Sequence, residues 1–128
     1  MINQAVVGLG SNIEPSKNIP EAKKIIAQKQ KVIAESKFVV TKPIGSTTQP
    51  DFLNGALLIE TSLSLEDLKT DLKNIERQLG RHKQADKYAP RTIDLDIVVW
   101  NQTVIDHDFY ERSFLKTAVL ELIPNLKY

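Results

Sequence analysis

The stretch that most constrains this chain is Lys87–Trp100, Lys-Tyr-Ala-Pro-Arg-Thr-Ile-Asp-Leu-Asp-Ile-Val-Val-Trp. Pro90 biases Ala89 toward extended backbone and marks where a strand begins. Side chains alternate along a strand, so Ile93, Leu95, Ile97 and Val99 share one face, and Asp94 and Asp96 share the other. Two carboxylates side by side on a mostly apolar strand are costly to bury and repel each other. A divalent cation removes both penalties. Mg²⁺ suits them, because it usually takes one or two carboxylates and fills its shell with water and phosphate oxygens. Arg91, just ahead of the pair, has the fork that grips a phosphate oxygen bidentately. A solvated or salt-bridged acidic pair is the competing reading. The basic and apolar setting favours a Mg²⁺–phosphate site.

The rest of the composition narrows the class. A chain of 128 residues is long enough for one domain, residues 1–128, with a real core. Its net charge of +1 gives no footprint for nucleic acid. There are no cysteines, which excludes a disulfide framework, a thiolate metal site and a cysteine nucleophile. Two widely separated histidines do not make a zinc site. Met1-Ile2-Asn3-Gln4 lacks the basic start and long apolar run of a signal peptide, and no stretch is apolar enough to span a membrane. The expectation is a soluble cytoplasmic protein, taken as a monomer with an oligomer left open.

Ile2–Leu9 reads as a buried strand ending in Gly8-Leu9-Gly10-Ser11-Asn12. No Gly-Lys-Ser/Thr follows, so this is not a P-loop; a strand-to-helix connection with close backbone approach is the better reading. Asn18 and Pro20 predict a helix start, with Ile19, Ala22 and Ile26 on one face. Lys31–Thr41 alternates and predicts a single strand. Lys42–Asp51 is a loop rich in turn formers, long enough to suggest function. Leu53, Leu57, Ile59 and Leu63 mark the next strand, with Phe52 and Asn54 on its opposite face. An aromatic and an amide there can clamp and read a flat polar heterocycle, or pack the core and tie the loop.

Ser64 opens the clearest helix, whose stripe Leu65, Leu68, Leu72, Ile75 and Leu79 is core; Gly80 fits its end. Arg77, Arg81, Lys83, Lys87 and Arg91 then lead into the Asp pair. This is the arrangement a polyphosphate substrate needs. Asn101-Gln102-Thr103 turns the chain, Asp106-His107-Asp108 is a polar loop, and Arg112–Ile123 reads as one last helix ended by Pro124.

These segments carry a resemblance. Gly8–Asn12, Thr41-x-Pro43-x-Gly45, Gln49-Pro50-Asp51-Phe52-Leu53-Asn54, Ile75-Glu76-x-x-Leu79-Gly80-Arg81 and Ala89-Pro90-Arg91-Thr92-Ile93-Asp94-Leu95-Asp96-Ile97 resemble the 6-hydroxymethyl-7,8-dihydropterin pyrophosphokinases of folate synthesis. The resemblance runs from Val6 to Pro124. It implies an α+β, ferredoxin-like fold: a four-stranded antiparallel sheet with helices on one side and mobile loops closing over the site. It implies transfer of the β,γ-pyrophosphoryl group of ATP to the pterin hydroxymethyl oxygen, releasing AMP. Asp94 and Asp96 match ligands of two Mg²⁺ ions. Thr41, Lys42, Ile44, Asn54 and Phe114 match pterin positions, and Phe52 with Phe114 would sandwich the ring. Glu76, Arg81, Lys83, Lys87, Arg91, Ile97 and Arg112 match nucleotide-side positions. Arg81, Arg91 and Arg112 would also stabilise the transferring group.

The chain departs from that pattern as well. The region after Trp100 is shorter, and Asp106 stands where a family histidine is expected, with His107 one position on. Lys83 and Lys87 replace frequent arginines and cannot make the planar fork. The chain stops at Tyr128, where longer members continue, so the resemblance implies a short, C-terminally truncated member. Two other readings stay open at this point. One is a paralogue acting on a related pterin outside folate synthesis. The other is a pterin- or nucleotide-binding module without catalysis.

Overall fold

A computed structural model describes residues 1–43, 49–80 and 92–128. The two long connections, 44–48 and 81–91, lie outside the described residues, and the expectation of mobile closing loops lies there with them. Along the described chain the order is β1 (Asn3–Ser11), α1 (Pro15–Lys29), β2 (Lys31–Glu35), β3 (Val39–Thr41), β4 (Phe52–Thr61), α2 (Leu65–Gln78), β5 (Asp94–Trp100), β6 (Thr103–Val104), α3 (Asp108–Glu111) and α4 (Ser113–Leu122).

The described strands form one antiparallel sheet in the order β2-β4-β1-β5-β6, with β3 also on β4, in line with β2. The expected α+β class and antiparallel sheet are present. Six strands replace the expected four, because one predicted continuous strand is broken and a short strand follows the turn after Trp100. Lys31–Thr41 divides at Ser36, whose hydroxyl accepts from Ala56 N at 2.9 Å while its own N–H donates to Ala56 O at 2.9 Å. A side-chain oxygen there takes the place of a ladder carbonyl. The sixth strand comes from the hairpin at Asn101 and Gln102, which both hold positive φ, 45° and 71°, as a tight right-twisted turn requires.

The helices cover both faces, not one. Ala5, Val7, Leu9, Leu57, Ile59, Leu95 and Ile97 pack with Ile19 and Ile26 of α1 and Leu68, Leu72 and Ile75 of α2. On the other face Val6, Ala56, Leu58 and Val98 pack with Leu115, Ala118 and Val119 of α4 and Phe109 of α3. The predicted leucine stripe of α2 is therefore core, and Ser64 caps it, its hydroxyl accepting from Asp67 N at 3.1 Å. Gly80 follows α2 at φ 93°, which suits a residue without a side chain.

Three boundaries differ from expectation. The first helix begins at Pro15, and Asn18 lies inside it, donating from Nδ2 to Ile13 O at 2.6 Å. The Gly8–Asn12 stretch is no turn: β1 runs on through Ser11. The last helix keeps its expected span as α4, but a short additional helix, α3, begins at Asp108 ahead of it, and the extended backbone of Arg112 (φ −119°, ψ 107°) separates the two. Among the described residues no helix is long and apolar enough to cross a membrane.

Candidate active site

Register builds the site. Asn54 of β4, Gly10 of β1 and Asp94 of β5 are neighbours across the sheet, and Ala56, Gly8 and Asp96 form the next row. Adjacent strands lie about 4.8 Å apart, so Asn54 and Asp94 stand roughly 10 Å from each other across a glycine. Glycine in the middle of both rows leaves a floor without side chains. Above it, on the α4 face, opens a hollow of about 340 Å³.

The walls of this hollow contain most of the expected acceptor residues. Thr41, Lys42, Phe52, Asn54 and Phe114 all line it, as do Asp94, Asp96 and Arg112. Asn54 is fixed by a 2.6 Å bond from Nδ2 to Thr41 Oγ1. Gly10 makes room for it: a Cβ there would collide with Asn54 Oδ1. Close approach was the expected role of this glycine stretch; what approaches is a side chain over a strand, not a ligand over a turn.

A second hollow, of about 400 Å³, opens on the other side of Asp96, between α2 and the β6–α3 connection. Lys69 and Lys73 of α2, Ile97 of β5, Ile105 and His107 line it. Asp96 and Asp106 line both hollows. Arg112 lies on the first hollow, with Nε 3.6 Å from Asp108 Oδ2.

Glu76 is placed differently from Ile97 and Arg112. It is 4% exposed, and its Oε2 accepts the Leu95 N–H at 2.7 Å while Oε1 lies 3.6 Å from Lys73 Nζ. The carboxylate bonds the backbone between Asp94 and Asp96. Ile44, Arg81, Lys83, Lys87 and Arg91 lie outside the described residues.

The acids dominate the electrostatics. Burial, then the neighbouring Asp94, Asp106 and Glu76 carboxylates, pushes Asp96 up from 3.8 to about 7, with Lys73 pulling the other way. Asp106 is also raised, chiefly by burial, although the Asp108 N–H donates to its Oδ1 at 2.9 Å and opposes the shift. Such a set favours a bound cation or proton. Among the described residues no group of three or more potential ligands converges as a ready metal cage. Two carboxylates on one strand face, with oxygen as the donor atom, fit Mg²⁺ completed by water and phosphate. Asp94 and Asp96 would hold it.

Gly8, Gly10, Asp106, Lys69 and Lys73 were not singled out from sequence as site residues. The glycines carry no chemistry of their own. Lys69 and Lys73 lie on the polar side of α2, where lysines ordinarily face solvent. From sequence Asp106 marked only a polar loop where a family histidine is expected; the short β5–β6 hairpin folds it back beside Asp96.

Comparison with known proteins supplies the family. The family model for 7,8-dihydro-6-hydroxymethylpterin-pyrophosphokinase matches residues 6–124. A 2-amino-4-hydroxy-6-hydroxymethyldihydropteridine pyrophosphokinase of Helicobacter pylori is 37% identical over 107 residues, covering 80% of this chain and 66% of that protein. The Haemophilus influenzae protein of the same name is 32% identical over 133 residues, covering 95% of this chain and 82% of that one. A folate synthesis bifunctional protein of Arabidopsis thaliana is 32% identical over 130 residues, covering 94% of this chain and 27% of that protein.

Proposed function

The chain belongs to the 7,8-dihydro-6-hydroxymethylpterin-pyrophosphokinase family, and on that premise we propose that it moves pyrophosphate from ATP to 6-hydroxymethyl-7,8-dihydropterin in folate biosynthesis. Residues 1–128 act as one such domain, its β2-β4-β1-β5 strand order supporting a ferredoxin-like core to which β3 and β6 are additions. The observation that carries the reading is the position of Asp96, on the wall common to two hollows. One hollow has the aromatic and amide groups for a pterin. The other has an apolar strand residue and a lysine-bearing helix for a nucleotide.

In the first hollow Phe52 and Phe114 sandwich the pterin ring, while Asn54 and Thr41 read its polar edge; Lys42 and Ile44 complete the pocket. In the second, Ile97 packs on the nucleotide. Lys69 and Lys73 add positive charge there. Arg81, Lys83, Lys87, Arg91 and Arg112 meet the phosphates, and Asp108 orients the Arg112 guanidinium. Catalysis of this kind is mostly positioning and charge stabilisation. The hydroxymethyl oxygen attacks the β-phosphorus, the bond from that phosphorus to the oxygen bridging to the α-phosphate breaks, and AMP leaves with that oxygen. The hydroxyl proton is taken up by a carboxylate oxygen, a role for which the family resemblance points to Asp96. Two Mg²⁺ ions, when bound at Asp94 and Asp96, supply neutralisation of the phosphates and a lower pKa for the attacking hydroxyl.

The test is AMP release from ATP with and without the pterin and Mg²⁺. Asp94→Ala and Asp96→Ala should each lower it by at least about a hundredfold. Unchanged release in either variant removes that carboxylate from the reaction. Pterin binding by the wild type with no AMP formed would make the chain a binding module instead.

A further inference from the structure

The resemblance includes two motifs far apart in sequence that take no part in the proposed reaction. One is the Ser11-Asn12 end of the glycine stretch, and the other is Gln49-Pro50 ahead of Phe52. The structure joins them. Asn12 is 2% exposed. Its Nδ2 donates to Gln49 Oε1 at 2.9 Å and to Pro50 O at 3.2 Å. Both donor hydrogens of one buried amide thus go to the stem by which the long 42–51 connection re-enters the sheet.

A second clamp lies on the far side of that stem. Thr41 of β3 pairs with Phe52 of β4, and Asn54 donates to Thr41 Oγ1 at 2.6 Å. These contacts tie β3 to β4 but leave open where residues 49–51 run. Pro50 has no N–H to add to a ladder and cannot hold itself on the sheet. Asn12 sits just beyond the last β1 residue, Ser11, which pairs with Leu53. It therefore reaches the stem at the point where the strand ladder stops.

We propose that Asn12 is a positioning residue for the acceptor: by holding the Gln49 side chain and the Pro50 carbonyl it sets the path of the chain into Phe52, and so the ring wall of the first hollow. Asn12 does not line that hollow and acts through Gln49 and Pro50. The inference rests on the pterin reading of the hollow. The amide is needed as a donor. Aspartate at position 12 has no hydrogen to give and sets its charge against two acceptor oxygens.

Four proteins test this: wild type, Asn12→Ala, Gln49→Met and the double variant. Each is measured for pterin KM, kcat, affinity for a non-hydrolysable ATP analogue, and amide hydrogen exchange across Phe52–Asn54. The expected result for either single variant is a pterin KM raised about tenfold, the loss of roughly one buried hydrogen bond. Nucleotide affinity and kcat should stay within about twofold. The double variant should be no worse than Asn12→Ala, because Asn12→Ala already removes the bond to Gln49 that Gln49→Met removes. Exchange across Phe52–Asn54 should rise in Asn12→Ala. Asn12→Asp should behave as Asn12→Ala, and Gln49→Glu, which keeps the acceptor, should retain most of the wild-type KM. An unchanged pterin KM, fully additive effects or unaltered exchange overturns the proposal. Should Asn12→Ala fail to fold, Gln49→Met against Gln49→Glu makes the same decision. Absence of AMP formation by the wild type overturns the pyrophosphokinase reading alone; the exchange rates in wild type and Asn12→Ala then decide the positioning role by themselves.

Discussion

At the scale of a residue, the site is shaped as much by missing side chains as by present ones. Gly10 has ordinary strand backbone, with no positive φ, so alanine is conformationally acceptable there. What alanine meets is Asn54 Oδ1. The amide must then rotate away and give up its bond to Thr41 Oγ1. Gly10→Ala is therefore expected to raise the pterin KM about tenfold, the loss of one well-formed hydrogen bond. Stability in urea denaturation should move by no more than ~1 kcal/mol in either direction, because alanine also restricts the unfolded chain. Steady-state kinetics beside a denaturation curve check this. A large stability loss with unchanged KM would mean that Gly10 serves packing alone. The Asp pair was the reverse case. Alternation along Ile93–Val99 placed Asp94 and Asp96 together from sequence, because a period of two admits one arrangement. No local pattern said that Gly8 and Gly10 lie beside them, since that depends on pairing between residues far apart in the chain, Gly10 with Asp94.

At the scale of elements, the β5 edge explains both what was legible and what was not. The core stripe of α2 and the alternation of β5 are local patterns; the first holds, and the second holds from Ile93 to Ile97, beyond which a register shift opposite Val6 and Val7 carries Val99 to the other face with Val98. The hold of α2 on β5 is not local. β6 pairs only with Val99 and Trp100, so among the described residues no strand covers the outer edge of Asp94–Ile97. Glu76 fills the gap by accepting the Leu95 N–H. From sequence a glutamate in the last turn of a helix reads as solvent-facing or, by resemblance, as a nucleotide contact. Truncating it strips a buried N–H of its charged partner. Glu76→Ala should cost about 2–3 kcal/mol in urea denaturation, whereas Glu76→Gln, which keeps an acceptor, should cost about 1 kcal/mol. Equal losses in the two variants would show that charge, not the hydrogen bond, is what the edge requires. The broken strand at Ser36 and the extra short helix before Arg112 escaped the sequence for a related reason. Each is made by contacts or backbone angles that periodicity does not encode.

At the scale of the molecule, the sheet concentrates negative charge at one spot, and that has a consequence for folding. Burial and the nearby Asp94, Asp106 and Glu76 carboxylates put Asp96 at about 7 in the folded chain, against 3.8 ordinarily. Between those values the folded protein keeps a proton that the unfolded chain has lost. The resulting stabilisation is present in full below pH 3.8 and drains away as pH rises toward 7. Asp106, raised for the same chief reason, acts in the same direction. Without metal the protein should thus be less stable at pH 8 than at pH 5, by on the order of a few kcal/mol from Asp96. Asp96→Asn removes the titrating group, so the difference between variant and wild type isolates its share. Urea denaturation in EDTA at both pH values, on both proteins, gives that difference. On the proposed reading Mg²⁺ would bind the ionised pair, so it should recover stability at pH 8 and add little at pH 5, where it competes with the proton. If Asp96→Asn and wild type lose stability in parallel between pH 5 and 8, then Asp96 is ionised throughout and its neighbours impose no such penalty. The same charge that makes the metal-free stability pH-dependent is what gives a cation and its phosphate ligands a reason to bind between the two hollows.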